Sequence, residues 1–157
     1  MSRTRPVHLV LVFAVGAIAL WLLEIGLAAS GRAVVIPPFT LAVALVLIGV
    51  IVVLMALPVR RVAKGVPNAR VDPFYATRVV VIAKASSLAG ALVAGGGAAI
   101  GVYLLTRAVV ASFSSVSMAF GTAIGAVVLV AGGLIAEHMC AIPPSEDDDP
   151  DAPSAAR

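Results

Sequence analysis

Apolar residues fall in four long runs along this chain, at residues 7–29, 40–59, 79–106 and 116–136, with polar and charged residues gathered between them. The runs show neither the alternation of a half-buried strand nor the single apolar stripe of a water-facing helix. Runs of roughly 18 or more apolar residues are the mark of membrane-spanning helices. Hydrocarbon offers no water to backbone N–H and C=O groups, so each run is expected to be an α-helix; a barrel would need alternating segments of about 10 residues. The predicted fold is all-α, an integral membrane bundle of four transmembrane helices in residues 1–142. A Pro-, Ser- and Asp-rich tail follows at 143–157, too poor in apolar surface to offset the cost of ordering, and is expected to be disordered.

The connectors at 31–39, 60–78 and 107–115 are short, which makes consecutive helices expected antiparallel neighbours. In the second, Asp72-Pro73 reads as an N-cap followed by proline at the first helical position, where its missing N–H costs nothing. A third helix from there to Thr106 would be about 51 Å long, more than the hydrocarbon is thick. Its first turn, with Phe74, Tyr75 and Arg78, belongs at the interface, and tilt or a kink at Gly95-Gly96-Gly97 would absorb the excess. The first run is longer than a signal-peptide core and carries Glu24 near its end, so it reads as a retained anchor.

Composition agrees: 61% of residues are hydrophobic and 12% charged, against about 25% charged in soluble proteins. Its single cysteine, Cys140, allows no intramolecular disulfide. The net charge of +3 is small for a nucleic-acid binder, and the cations lie at membrane edges, so no nucleic-acid partner is expected. Arg3, Arg5, Arg60, Arg61, Lys64, Arg70, Arg78 and Arg157 fall on one side of a four-span topology, against Arg32 and Arg107 on the other. Basic loops stay inside, which predicts cytoplasmic N- and C-termini in a multi-pass protein of the cell inner membrane. The acidic run Glu146 to Asp151 would share that side with Arg60, Arg61 and Lys64, and docking on these three across the cytoplasmic face is one reading of it. A solvated tail is nevertheless the expectation, with topology and anionic headgroups accounting for the basic loop.

Small residues let helix backbones approach closely in lipid. Ser87, Ala91, Gly95 and Ala98 lie near the azimuth of Lys84, while Ser86, Gly90, Gly97 and Gly101 form a second stripe. On the last helix Gly133, Ala126 and Ala119 share the face of Glu137, opposite Gly121, Gly125 and Gly132. Contacts on two sides of each helix are expected, with Gly90, Gly97, Gly101, Gly121 and Gly125 as helix-packing positions within one subunit before any self-association.

Charge is expensive inside lipid, which singles out Glu24, Lys84 and Glu137, with His138 beside the last. Lys84 lies about 9 Å beyond Arg78 and Glu137 ends a helix returning to the same side, so the two form a candidate intramembrane ion pair. Glu24 is expected about 10 Å from Lys84 along the membrane normal. A structural pair with Lys84 snorkelling toward water is the plainer reading, and a proton- or ion-handling pathway the sharper one. Glu137, His138 and Cys140 are too few for a tetrahedral zinc site, and no third group orients a Cys140–His138 or Cys140–His8 couple. No catalytic residue, metal or cofactor is expected, and no phosphate loop or nucleophile elbow occurs.

The stretch Arg70-Val71-Asp72-Pro73, continuing through Arg78-Val79 to Ala83-Lys84-Ala85-Ser86, and the ending Glu137-His138-Met139-Cys140-Ala141-Ile142-Pro143-Pro144 resemble the actinobacterial membrane family known as domain of unknown function 3180. The resemblance implies a four-span inner-membrane protein without assigned activity, encoded near folate-biosynthesis genes. It also draws attention to Asp72, Arg78, Lys84, Glu137 and Cys140 without giving any of them a role. The expected function is therefore that of a non-enzymatic accessory or scaffold subunit binding another membrane protein or itself, with the lipid bilayer as its surroundings. The alternative is a small carrier or ion-conducting oligomer using Lys84, Glu137 and Glu24.

Overall fold

A computed structural model describes residues 6–33, 35–64, 72–106 and 113–140. They form four helices: α1 Pro6–Ala29, α2 Phe39–Ala63, α3 Pro73–Thr106 and α4 Phe113–Cys140. Each is long and apolar enough to cross a membrane. The helix ends are set locally. Gly31 adopts φ +70°, and the N–H groups of Gly31 and Arg32 donate to the carbonyls of Ala28 and Leu27, a Schellman ending that glycine favours because it has no Cβ. Asp72 opens α3: its Oδ1 accepts from the N–H of Phe74 at 2.9 Å, and Pro73 occupies the first turn. The glycine triplet at 95–97 stays helical within the unbroken α3.

The helices pack in the order α1, α3, α4, α2. α3 touches all the others, whereas α1 touches α3 alone and α2 lies mainly on α4. Of the expected contacts between chain neighbours, α2–α3 and α3–α4 are made, and one is corrected: α1 and α2, joined by nine residues, make no contact among the described residues. In lipid, water does not drive helices together, so partners are chosen by how closely backbones can approach. Gly16 of α1 faces the Leu92 carbonyl and Gly95 of α3 faces the Phe13 carbonyl, back to back. A methyl added to Gly125 or Gly132 of α4 would lie 2.8 Å from the Ala42 carbonyl oxygen or 2.9 Å from that of Gly49, both on α2. The α3–α4 seam repeats the device, with Gly133 against the Ala83 carbonyl and Gly90 against that of Ala126. A nine-residue connector, at most about 30 Å long, can bridge the separated α1 and α2.

These contacts also give directions. Along α1 and α3 the paired residue numbers rise together, as they do along α2 and α4, while α3 and α4 run opposite ways. Pro6, Lys64, Asp72 and Cys140 consequently gather at one end of the bundle, and Ser30, Phe39, Thr106 and Phe113 at the other.

Packing positions divide unequally. Gly97 sits on Ala123 and Gly101 on the Phe120 ring, both within the subunit, and Gly125 meets α2. Gly121, expected to pack likewise, would project an added methyl into open space with nothing within 4 Å, because its side of α4 faces neither α2 nor α3. Gly121→Leu should therefore leave stability to thermal unfolding in detergent within about 0.5 kcal/mol of wild type. Gly125→Leu, driven into the α2 backbone, should lower it by about 2 kcal/mol.

Candidate functional site

The polar residues of the membrane region separate into two sites at opposite ends. The first is Glu24, which is fully buried although α1 is the least enclosed helix; Gly16 and Glu24 are its buried residues. The helix thus turns its valines, leucines and isoleucines outward and its carboxylate inward. After the Schellman turn the chain folds back, Val35 N–H donates to Glu24 Oε1 at 3.1 Å, and Pro37 is buried nearby in sequence. The carboxylate therefore holds the α1–α2 connector against the end of the bundle. One turn earlier, Trp21 meets Tyr103 edge-on with ring centroids 5.7 Å apart, tying the same end of α1 to α3. Glu24 stands out in the sequence as a charge in an apolar run; the connector's part, through Gly31 and Val35, has no signal there beyond a glycine after the last apolar residue.

The second site lies at the other end. Gly133 of α4 presses on the Ala83 carbonyl and on Ser87, and Ala136 and Cys140 share a buried cluster with Val79 and Ala83. Lys84 follows Ala83, and Glu137 lies one turn beyond Gly133. Both are half-buried and stand at the same level of adjoining helices. Ser87 is fully buried and donates from its Oγ to the Lys84 carbonyl at 2.9 Å, satisfying its hydroxyl on its own helix. Thr122 does the same toward Met118 at 3.0 Å.

The remaining candidates take structural positions. Asp72 is the α3 cap and Arg78 is exposed. His138 is exposed whereas Cys140 is buried against Val59 and Val79, so the two do not share a site. Tyr75 reads in the sequence only as an interfacial aromatic; in the fold its hydroxyl donates to the Met55 carbonyl at 3.2 Å and ties α3 to α2. Among the described residues no group of three His, Cys, Asp or Glu is placed to hold a metal ion.

Glu24 and Lys84 do not belong to one constellation. Trp21 stands level with Tyr103, which is 19 residues along α3 from Lys84, or about 28 Å. The 10 Å offset expected from the sequence is corrected by the register of the helices: Gly16 lies level with Leu92, so α1 starts near the level of Lys84 and Glu24 lies most of a helix length beyond it, while α3 extends past α1 at the Asp72 end.

Between α1 and α3 lies an open groove of roughly 380 Å³ lined by Ala17, Ile18, Trp21, Leu22, Ala98, Ala99 and Val102. It has the volume of a small ligand site but an apolar lining, with little to orient a polar molecule. Compared with known families, residues 9–144 match a family model described as a protein of unknown function (DUF3180). No curated protein and no solved structure matches the chain.

Proposed function

The chain belongs to the DUF3180 family of proteins of unknown function, and from the architecture of this small membrane protein we propose a non-enzymatic accessory or scaffold subunit that receives an apolar helix along its α1–α3 edge. The helix comes from another membrane protein or from a second copy. The observation that carries this reading is the attachment of α1: it is held by α3 alone, and the groove beside that seam is open and apolar. Small residues at the groove floor, Ala17, Ala98 and Ala99, permit the close approach on which helix association in lipid depends. The distribution of Lys and Arg supports a cytoplasmic position for the end bearing Pro6 and Cys140.

The carrier reading finds less support, since Glu24, one turn beyond Trp21, lies more than about 28 Å from Lys84 along the helix axis. K84Q combined with E137Q is expected to leave the recovery of a partner unchanged.

A photoreactive residue at Ile18 or Val102 tests the scaffold reading in native membranes. Covalent protein adducts are expected there and not at Ile51 or Leu54 of α2, which are similarly exposed. Lipid adducts at all four positions, with no stoichiometric partner or second copy recovered in mild detergent, would reject it.

A further inference from the structure

Four exposed cations lie on α2 and α3 near the level at which α4 ends. α2 carries Arg60 and Arg61 in its last turn and Lys64 as its C-cap. α3 carries Arg78 immediately before Val79. Cys140, the last residue of α4, is buried in one cluster with Val59 and Val79, the direct neighbours of Arg60 and Arg78. The chain beyond Cys140 therefore starts beside the helix turns that carry these cations.

Five of the eight acidic residues in the whole sequence follow: Glu146, Asp147, Asp148, Asp149 and Asp151. Residues 141–157 lie outside the described residues, yet covalent length bounds their reach. The six residues from Cys140 to Glu146 span at most about 20 Å. A tether that short holds the carboxylates near the four cations at an effective concentration on the order of millimolar or more. The opposing charges nearly balance, four cations against five anions. Guanidinium and ammonium groups bond carboxylates and phosphates by the same charge-assisted hydrogen bonds, so a tail and a lipid headgroup are rivals for them.

We propose that residues 146–151 clasp the basic rim of Arg60, Arg61, Lys64 and Arg78, in competition with anionic lipid headgroups for the same cations. The rim is then covered by the protein's own tail in a neutral bilayer and exchanged onto headgroups in an anionic one. This inference is independent of which helix occupies the α1–α3 groove.

Zero-length carbodiimide coupling on the full chain, one copy per nanodisc, reads the contact directly. Lys64 is the reporting amine and Lys84, the other lysine, the internal control. In phosphatidylcholine at low salt, mass spectrometry is expected to find Lys64 joined to residues 146–151. The yield should fall roughly fivefold in about 1 M salt, where the screening length is about 3 Å. It should fall about as far in R60Q/R61Q, which keeps Lys64, and when phosphatidylserine is added to the bilayer. Unaltered thermal unfolding in detergent of R60Q/R61Q would show that the bundle is intact. No Lys64–tail product at low salt, or a yield indifferent to R60Q/R61Q or to phosphatidylserine, would overturn the proposal.

Discussion

Gly95→Val is expected to detach α1 from the bundle. The hydrogens of Gly95 lie against the Phe13 carbonyl and the Ala17 amide, and Gly16 faces Leu92 in the same crossing, so an added side chain meets backbone on the opposite helix. Backbone cannot rotate aside as a side chain can. The helices would have to part by roughly 1 Å, and dispersion contacts along the whole seam would weaken together. Because α1 touches α3 alone, no second interface compensates. The expected cost is about 3 kcal/mol, the upper part of the range for overpacked sites. The protein's single tryptophan, Trp21, is packed on Tyr103, so its fluorescence reports this docking. Its emission should shift in Gly95→Val and stay unchanged in Gly26→Val, whose added side chain meets nothing within 4 Å. Unshifted emission in both variants would contradict the assigned crossing.

The second large effect concerns Glu24. Replacing it by leucine removes the oxygen that accepts the Val35 N–H, and the connector loses its hold on the end of the bundle. Losing this part-buried hydrogen bond costs about 1.5 kcal/mol. Glu24→Lys should be worse, since it opposes an ammonium to that N–H in a fully buried position; a loss of more than about 3 kcal/mol is expected, enough to deplete the folded protein. Glu24→Gln keeps a carbonyl oxygen in the same place and should behave nearly as wild type. Trypsin cleavage after Arg32, an exposed connector residue, provides the measurement. Its rate should rise roughly tenfold in Glu24→Leu, where opening is about 1.4 kcal/mol easier, and hardly at all in Glu24→Gln. Equal rates in wild type and both of these variants would remove Glu24 from this role.

Some of the architecture could be read directly from the residues. Asp72-Pro73 announces the start of α3 because a capping carboxylate and a donor-free first residue are local chemistry, independent of any neighbour. The small stripes on α3 and α4 are legible for a similar reason, since a helix with glycine on two faces can be approached from two sides. Which neighbour approaches is another matter. Gly121 and Gly125 look alike in sequence, yet Gly125 meets α2 and Gly121 meets nothing within 4 Å. Gly16 and Gly95 lie too far apart in the chain for their reciprocal fit to show in either local pattern.

Sequence alone determined that there are four membrane-length helices and roughly where each begins and ends, because run length against hydrocarbon thickness and local capping are properties of contiguous residues. It also drew attention to Glu24, Lys84 and Glu137, because charge inside an apolar run is conspicuous by itself. Only the tertiary structure decided that α1 docks on α3 rather than on α2, that the connector returns to Glu24, and that Glu24 and Lys84 occupy opposite ends. Those outcomes depend on matching backbone surfaces and on the axial stagger of whole helices, quantities shared between distant segments and encoded in neither one separately.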